Sequence, residues 1–245
     1  MTVSRGDKMR GFWDARARED AFYFVDSRLQ YGNPDSKAFW DGGAVDLDRL
    51  LAAVGMSIRS SDVVADIGCG VGRLTRPLAD RAARVYALDI SEEMLRRAQE
   101  LNFHLENVTW IHGSGTDLRS IPDGSVDACV SHVVFQHIPD PEVTLEYVRD
   151  MGRVLRPGGW SAFQVSNDPE VHRVRDPRGA RAWLARLAGR APRGQRDPAW
   201  LGSMTDLDEL GGVAREAGLE VEQVVNPGTQ MCVVLLRRQA DPRES

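Results

Sequence analysis

The stretch "VVADIGCGVGRLTRPLA", Val63 to Ala79, limits this chain to few folds. A short apolar run ends in Asp66 and enters a loop with glycine at 68, 70 and 72, after which a helix is expected. A strand, a tight glycine turn and a helix in that order belong to an open, mostly parallel sheet, which binds ligands outside the carboxyl ends of its strands. Glycines without Cβ let the chain turn sharply and let a ligand approach backbone N–H groups. Alone, a G-x-G is a weak signal, since a tight turn that binds nothing can also carry it.

The rest of the chain continues that alternation. Strands are expected at Asp62–Gly68, Ala83–Ile90, Asn107–Gly113, within Ser125–Phe135, and at "WSAFQVS". Helices are expected at Gly72–Arg81, with Pro77 kinking or loosening it, at Ser91–Asn102 with Ser91 as cap, and from Pro141 to the stop at Pro157, Gly158 and Gly159. A helix over "TDLDELGGVAREAGL" then precedes "EVEQVV" and "QMCVVLLRR", which can pair as an antiparallel hairpin through "NPGT". The predicted fold is α/β: a doubly wound, mostly parallel, Rossmann-like sheet ending in an antiparallel hairpin. Residues 1–60 form an N-terminal helical cap, residues 61–240 the main domain, and residues 167–203 an arginine-rich insertion after strand five that includes the amphipathic piece "ARAWLARLAG".

Composition narrows the function classes. The 245 residues are 42% apolar and 27% charged, ordinary for a globular protein. No long apolar run suggests a membrane span, and the polar N-terminus does not read as a secretory signal, so a cytoplasmic location is expected. Cys69, Cys129 and Cys232 are scattered without a C-x-x-C pair, so neither a metal site nor a disulfide framework is expected. The net charge of −5 argues against nucleic acid as the main partner. Residues 172–196 nevertheless carry eight arginines against one acid.

The loop details separate cofactors. A dinucleotide fingerprint needs a third glycine where this chain has Arg73, and Asp66 would repel a pyrophosphate while suiting an ammonium group. Asp89 sits at the tip of the second strand, where a carboxylate can accept from both hydroxyls of a ribose. Ser114, Gly115, Thr116 and Asp117 form a polar loop after strand three.

Together, Asp66 with Gly68, Cys69, Gly70 and Gly72, then Asp89, then "LRPGG" at 155–159, resemble the class I S-adenosylmethionine-dependent methyltransferases over residues 60–165, with 205–238 also fitting. The resemblance implies S-adenosylmethionine as cofactor. It implies cofactor contacts from Asp66, Gly68, Cys69, Gly70, Asp89, Ile90, Met94, Ser114, Gly115, Thr116, Asp117, Ser131 and His132. The family often has an Asp where this chain has Ser114, so either Ser114 or Asp117 must meet the adenine.

The expected reaction moves a methyl group to an oxygen or nitrogen of a small polar or anionic metabolite. His137, just past strand four, is the candidate base, against the plainer reading of a loop histidine bonded to backbone. Cys69 is conceivable as a nucleophile, but the turn itself requires a small residue there. The aromatics Phe12, Trp13, Phe22, Tyr23, Phe24, Tyr31, Phe39 and Trp40 read either as a packed helix or as a lid, with Tyr23 and Tyr31 as acceptor contacts. The arginines, Arg178 and Arg181 among them, read either as a solvated loop or as forks for an anionic acceptor. A non-catalytic cofactor-binding protein and a nicotinamide-dependent oxidoreductase are the alternatives, the latter disfavoured by Arg73 and Asp66. The oligomeric state is left open.

Overall fold

Asp66 and Ile67 end the first strand, the third across a seven-stranded sheet and the one beside which the strand order reverses. The computed structural model describes residues 5–172, 194 and 197–240. In chain order the elements are α1 (Arg5–Val25), α2 (Ser36–Ala53), β1 (Val63–Ile67), α3 (Thr75–Ala79), β2 (Arg84–Asp89), α4 (Glu92–Leu101), β3 (Val108–His112) and β4 (Val126–Ser131). A 3-10 turn (Phe135–His137), α5 (Pro141–Val154), β5 (Leu155–Val165), α6 (Pro198–Leu201), α7 (Leu207–Glu216), β6 (Leu219–Val225) and β7 (Cys232–Arg238) follow.

The strand order is β3-β2-β1-β4-β5-β7-β6. The first four pairings, from β3 through β5, are parallel, whereas β7 pairs antiparallel with both β5 and β6. This is the expected doubly wound sheet with its antiparallel hairpin. The order reverses between β1 and β4, so their carboxyl ends open a crevice. One face of the sheet packs on α5 and α7 through Leu145, Val148, Met151, Leu210 and Ala214. The other packs on α2 and α3 through Leu47, Leu50, Leu74 and Leu78, with Leu95 of α4.

Local chemistry sets the helix starts. Asp35, Ser91, Asp140 and Asp206 each accept a hydrogen bond from a backbone N–H in the first turn that follows. Asp20 breaks α1 with an extended backbone and caps its final turn by accepting from the Tyr23 N–H at 3.1 Å.

Two expected helices are shorter than the sequence suggested. α3 begins at Thr75, because Gly72 at φ +91° still belongs to the loop. Pro77 falls in its first turn, where no N–H is needed, and causes no kink. α5 stops at Val154 rather than at the proline-glycine turn, and Leu155 already pairs with Val126. Pro157 cannot continue a helix, and Arg238 of β7 donates to the carbonyls of Gly152, Arg153 and Leu155. α6, a four-residue helix capped by Asp197, was not anticipated. "ARAWLARLAG", Arg178 and Arg181 lie outside the described residues.

Candidate active site

The loop after β1 is held by the strand beside it. Gly68 N–H and Cys69 N–H both donate to the Leu88 carbonyl, at 2.8 and 2.9 Å. Gly70 N–H donates to Asp89 Oδ2 and Ser91 N–H to Asp89 Oδ1, each at 2.8 Å. A carboxylate oxygen has two acceptor directions, so both oxygens of Asp89 keep one for a ligand. Gly68 and Gly70 have φ of +75° and +54°. A Cβ on Gly68 would lie 2.5 Å from the Val134 side chain, and one on Gly70 would lie 2.9 Å from that of Val25. The glycines therefore serve close packing by Val25 and Val134 as well as the turn.

Above this loop lies a largely apolar cavity with about 840 Å³ of empty space, its mouth included. Of the residues expected to hold a cofactor, Gly68, Gly70, Asp89, Ile90, Met94, Gly115 and His132 line it. The rest of the expected set does not line it. Asp66 is buried, accepts from Thr75 Oγ1 at 2.6 Å, and burial pushes its carboxyl up to about 7. It is a support of the loop rather than a cavity carboxylate. Ser131 donates to the Ile67 carbonyl at 2.8 Å, tying β4 to β1. Cys69 is buried with its thiol pushed well above the ordinary range by burial, so the nucleophile reading fails. Ser114 Oγ accepts from the N–H groups of Thr116 and Asp117, each at 3.1 Å, and Asp117 accepts from the Arg119 N–H. Ser114, Thr116 and Asp117 thus close their own loop, and Gly113 and Gly115 form the wall there.

The lid reading named Trp13 and Phe24 in the other half of that wall, but not Met9 or Val25. Met9, Trp13, Phe24 and Val25 of α1 cover the cavity. Spacing of four residues puts Met9 and Trp13 on one helix face, but only the fold tells which face meets the cavity. Asp14 fixes α1 in place by accepting from Ser91 Oγ at 2.6 Å and Glu93 N–H at 3.2 Å, at the start of α4. Tyr23 and Tyr31, the expected acceptor contacts, line neither this cavity nor the cleft beside it. They pack on each other edge to face, and Tyr31 donates to Glu19.

A second, more polar cleft adjoins the first. It includes Asp26, Arg28, Asp46, Arg73, Gln136, Gln164 and Trp200 in its wall. The two spaces share Phe24, Val25, His132, Val133 and His137. His137 is held at both nitrogens: Nδ1 lies 2.7 Å from the Trp200 carbonyl and Nε2 lies 3.2 Å from Gln136 Nε2. The first contact fixes the proton on Nδ1, so Nε2 accepts from Gln136. Gln136 is held in turn by Gln164 Nε2 at 2.6 Å. The backbone-bonded reading of His137 is the one its geometry matches. His132 differs, because its buried Nδ1 has no hydrogen-bond partner among the described residues. Burial pushes both imidazoles down to about 4, so both are neutral at physiological pH. Val133, between them in sequence and cavity, has a φ of +59°, and its N–H donates to Gln164 Oε1 at 3.1 Å. A β-branched residue in that region is strained by about 1–3 kcal/mol and persists only where the surroundings enforce it.

Known proteins share both the sequence and the fold. Residues 65–163 match a methyltransferase domain family. The chain is 30% identical over 188 residues to a ubiquinone biosynthesis O-methyltransferase of Thiobacillus denitrificans, covering 73% of each chain. It is 37% identical over 146 residues to a trans-aconitate 2-methyltransferase of Azoarcus sp., covering 57% of this chain and 53% of the relative. The chain belongs to the class I S-adenosylmethionine-dependent methyltransferases.

Solved structures agree on the fold. Haemonchus contortus phosphoethanolamine N-methyltransferase 1, in complex with phosphoethanolamine and S-adenosylhomocysteine, matches with a TM-score of 0.70 at 16% identity, over 99% of this chain and 51% of that one. The magnesium protoporphyrin IX methyltransferase of Synechocystis PCC 6803, with bound S-adenosylhomocysteine, gives 0.62 at 17% identity over 96% and 100%. Membership of that family, shown by the sequence relatives, makes S-adenosylmethionine the cofactor, and the nicotinamide alternative falls. The residues present suit that cofactor: a carboxylate with open acceptor directions faces a cavity whose remaining wall is mostly glycine backbone and apolar side chains, with His132, His137 and Tyr147. Among the described residues, no helix is long and apolar enough to cross a membrane.

Proposed function

We propose that the enzyme methylates an oxygen or nitrogen of a small polar molecule seated in the second cleft, across the wall shared with the cofactor cavity. The observation that carries this reading is the shared wall itself, where Phe24, Val25, His132, Val133 and His137 face both spaces. When bound, S-adenosylmethionine supplies a methyl group already activated by a sulfonium. The chain's own work is then to bind, align and exclude water.

Asp89 holds the ribose hydroxyls, and Gly68, Gly70 and Gly115 let the cofactor lie against backbone. Met9 and Trp13 of α1 cover it, so α1 and α2 act as the cap. His132 accepts the proton that the acceptor atom releases, through the Nδ1 that no described residue engages. His137, bonded at both nitrogens, positions Gln136 and the turn that carries His132. This assigns the base to His132 where the sequence pointed to His137, and the two are separable. His132→Ala should lower turnover with S-adenosylhomocysteine affinity kept, while His137→Ala should loosen the turn and weaken both cofactor and acceptor. The reverse pattern returns the base to His137. Calorimetric titration with S-adenosylhomocysteine, followed by tritiated-methyl transfer to pooled metabolites, tests the whole reading; S-adenosylhomocysteine binding with no transfer to any small molecule would overturn it.

A further inference from the structure

The floor of the second cleft holds three guanidiniums and two carboxylates. Arg28 forks Asp26 through Nε and Nη2, each at 2.7 Å, and reaches Asp46 through Nη1 and Nη2 at 3.2 and 2.6 Å. Arg73 is buried, with Nη2 3.0 Å from Asp26 and also bonded to Asp46. Burial tends to raise both carboxyls, but hydrogen bonds from Arg28, with the charge of Arg73, hold Asp26 and Asp46 below the ordinary range. Both carboxylates are therefore ionised and already engaged.

The arginines are not all satisfied. Arg73 Nε is buried without a partner among the described residues. Arg49 is 74% exposed and lies 3.7 Å from Asp46, an ion pair too long for a hydrogen bond, so its donors remain available. No other acid lines this cleft among the described residues, and the floor keeps one surplus positive charge. At the other side of the same cleft, His132 presents a second buried nitrogen without a partner. Buried polar atoms in folded proteins nearly always have a partner, and His132 Nδ1, which lacks one among the described residues where the two spaces meet, points to a ligand that supplies it. Guanidiniums with spare donors suit an oxyanion, which they bind through paired N–H groups.

We propose that this floor anchors an oxyanion of the acceptor, a carboxylate or a phosphate, with Arg49 and Arg28 as its contacts and the reacting atom turned toward His132. The proposal rests on the reading of the second cleft as the acceptor site, and it moves anion recognition from the arginines of the insertion to residues of α2 and of the turn after α1. Arg73, paired with both acids, holds that floor rigid beneath them.

The full chain, supplied with tritiated S-adenosylmethionine, is screened against three matched pools: hydroxy- and amino-carboxylic acids, phosphate monoesters of similar size, and the primary amides of the same acids. Transfer to one of the anionic pools and at least 100-fold less to the amides is expected, and which pool responds separates carboxylate from phosphate. With the accepted anion, Arg49→Gln should raise KM at least 10-fold and Arg28→Lys several-fold, with S-adenosylhomocysteine affinity unchanged in both. Equal transfer to the amides, or an unchanged KM in Arg49→Gln, overturns the anion anchor and leaves the small-molecule methyltransferase reading standing. S-adenosylhomocysteine binding without transfer to any pool overturns both readings together.

Discussion

The two spaces that meet at His132 and Val133 are made of different materials. Among the described residues, the first cavity is lined by four glycines, apolar side chains, Tyr147, two neutral histidines and the single carboxylate of Asp89. The cleft beside it is built from long polar side chains carried by α2, the turn after α1, β5, the 3-10 turn and the β6–β7 connection. A backbone wall tolerates almost no substitution, because its shape is the chain's own path. A wall of long side chains can change its ligand by changing one residue while the path stays the same. On the function proposed above, the constant part of the reaction faces the first wall and the variable part the second.

The sharpest way to break that contrast is at Gly70. Gly70→Val places a β-branched residue at φ +54° with its Cβ 2.9 Å from Val25, so the loop must move. Loss of S-adenosylhomocysteine affinity beyond ~100-fold is expected while far-ultraviolet circular dichroism stays unchanged. A folded variant that still binds normally would show that the wall is less constrained than its geometry implies.

His132 belongs to both spaces, and its removal should separate binding from chemistry. His132→Ala is expected to lower kcat about 10²-fold, with S-adenosylhomocysteine affinity nearly unchanged. Since burial holds the imidazole down to about 4, kcat should be flat through neutral pH and fall only as pH drops toward that value. An acidic limb near 6.5 would contradict the buried, neutral state.

Asp89 is the one charge in the backbone-built wall. Asp89→Ala should weaken S-adenosylhomocysteine by about 1.5–3 kcal/mol, the usual cost of charge-assisted hydrogen bonds, with little effect on KM for the acceptor. Calorimetry giving wild-type affinity would remove the ribose assignment.

Asp66, which does not line that cavity, should affect stability and leave binding alone. Its folded carboxyl is raised to about 7 by burial, against an ordinary value of 3.8. The unfolded chain therefore loses this proton first, and the group's contribution, full below about pH 4, is lost as pH rises through 7. Thermal melts of Asp66→Asn and wild type should diverge in favour of the variant from pH 5 to 8, while S-adenosylhomocysteine affinity changes less than about threefold. A pH-independent difference would refute the buried-carboxyl assignment.

The same division of materials explains what was legible in the sequence. The loop after β1, Asp89 at the tip of β2 and the closing hairpin are local patterns: a strand period, glycines at fixed offsets, a cap. The sheet and seven residues of the cofactor wall could be read from them. Asp66, Cys69 and Ser131 fall in the same stretches but do not line the cavity: Asp66 and Ser131 sit on strands, whose side chains alternate sides, Cys69 is buried in the loop, and a motif does not state which side is wet. The second cleft had no local signal at all. Arg28, Asp46 and Arg73 are 18 and 27 residues apart in sequence and meet only through the packing of α2 against α3. Arg73 even entered the sequence argument for another reason, as the residue that broke a dinucleotide pattern.

One topological detail has a consequence for synthesis. β6 precedes β7 in the chain, yet β7 lies between β5 and β6 in the sheet. A chain emerging from the ribosome thus presents β6 before any strand exists for it to pair with, while β5 waits with an open, apolar edge. Neither problem is solved until β7 arrives, pairing with both neighbours while Arg238 closes the end of α5. The hairpin must then dock as a unit after the remainder has collapsed, and that interval is when a nascent copy is most exposed to aggregation through β5.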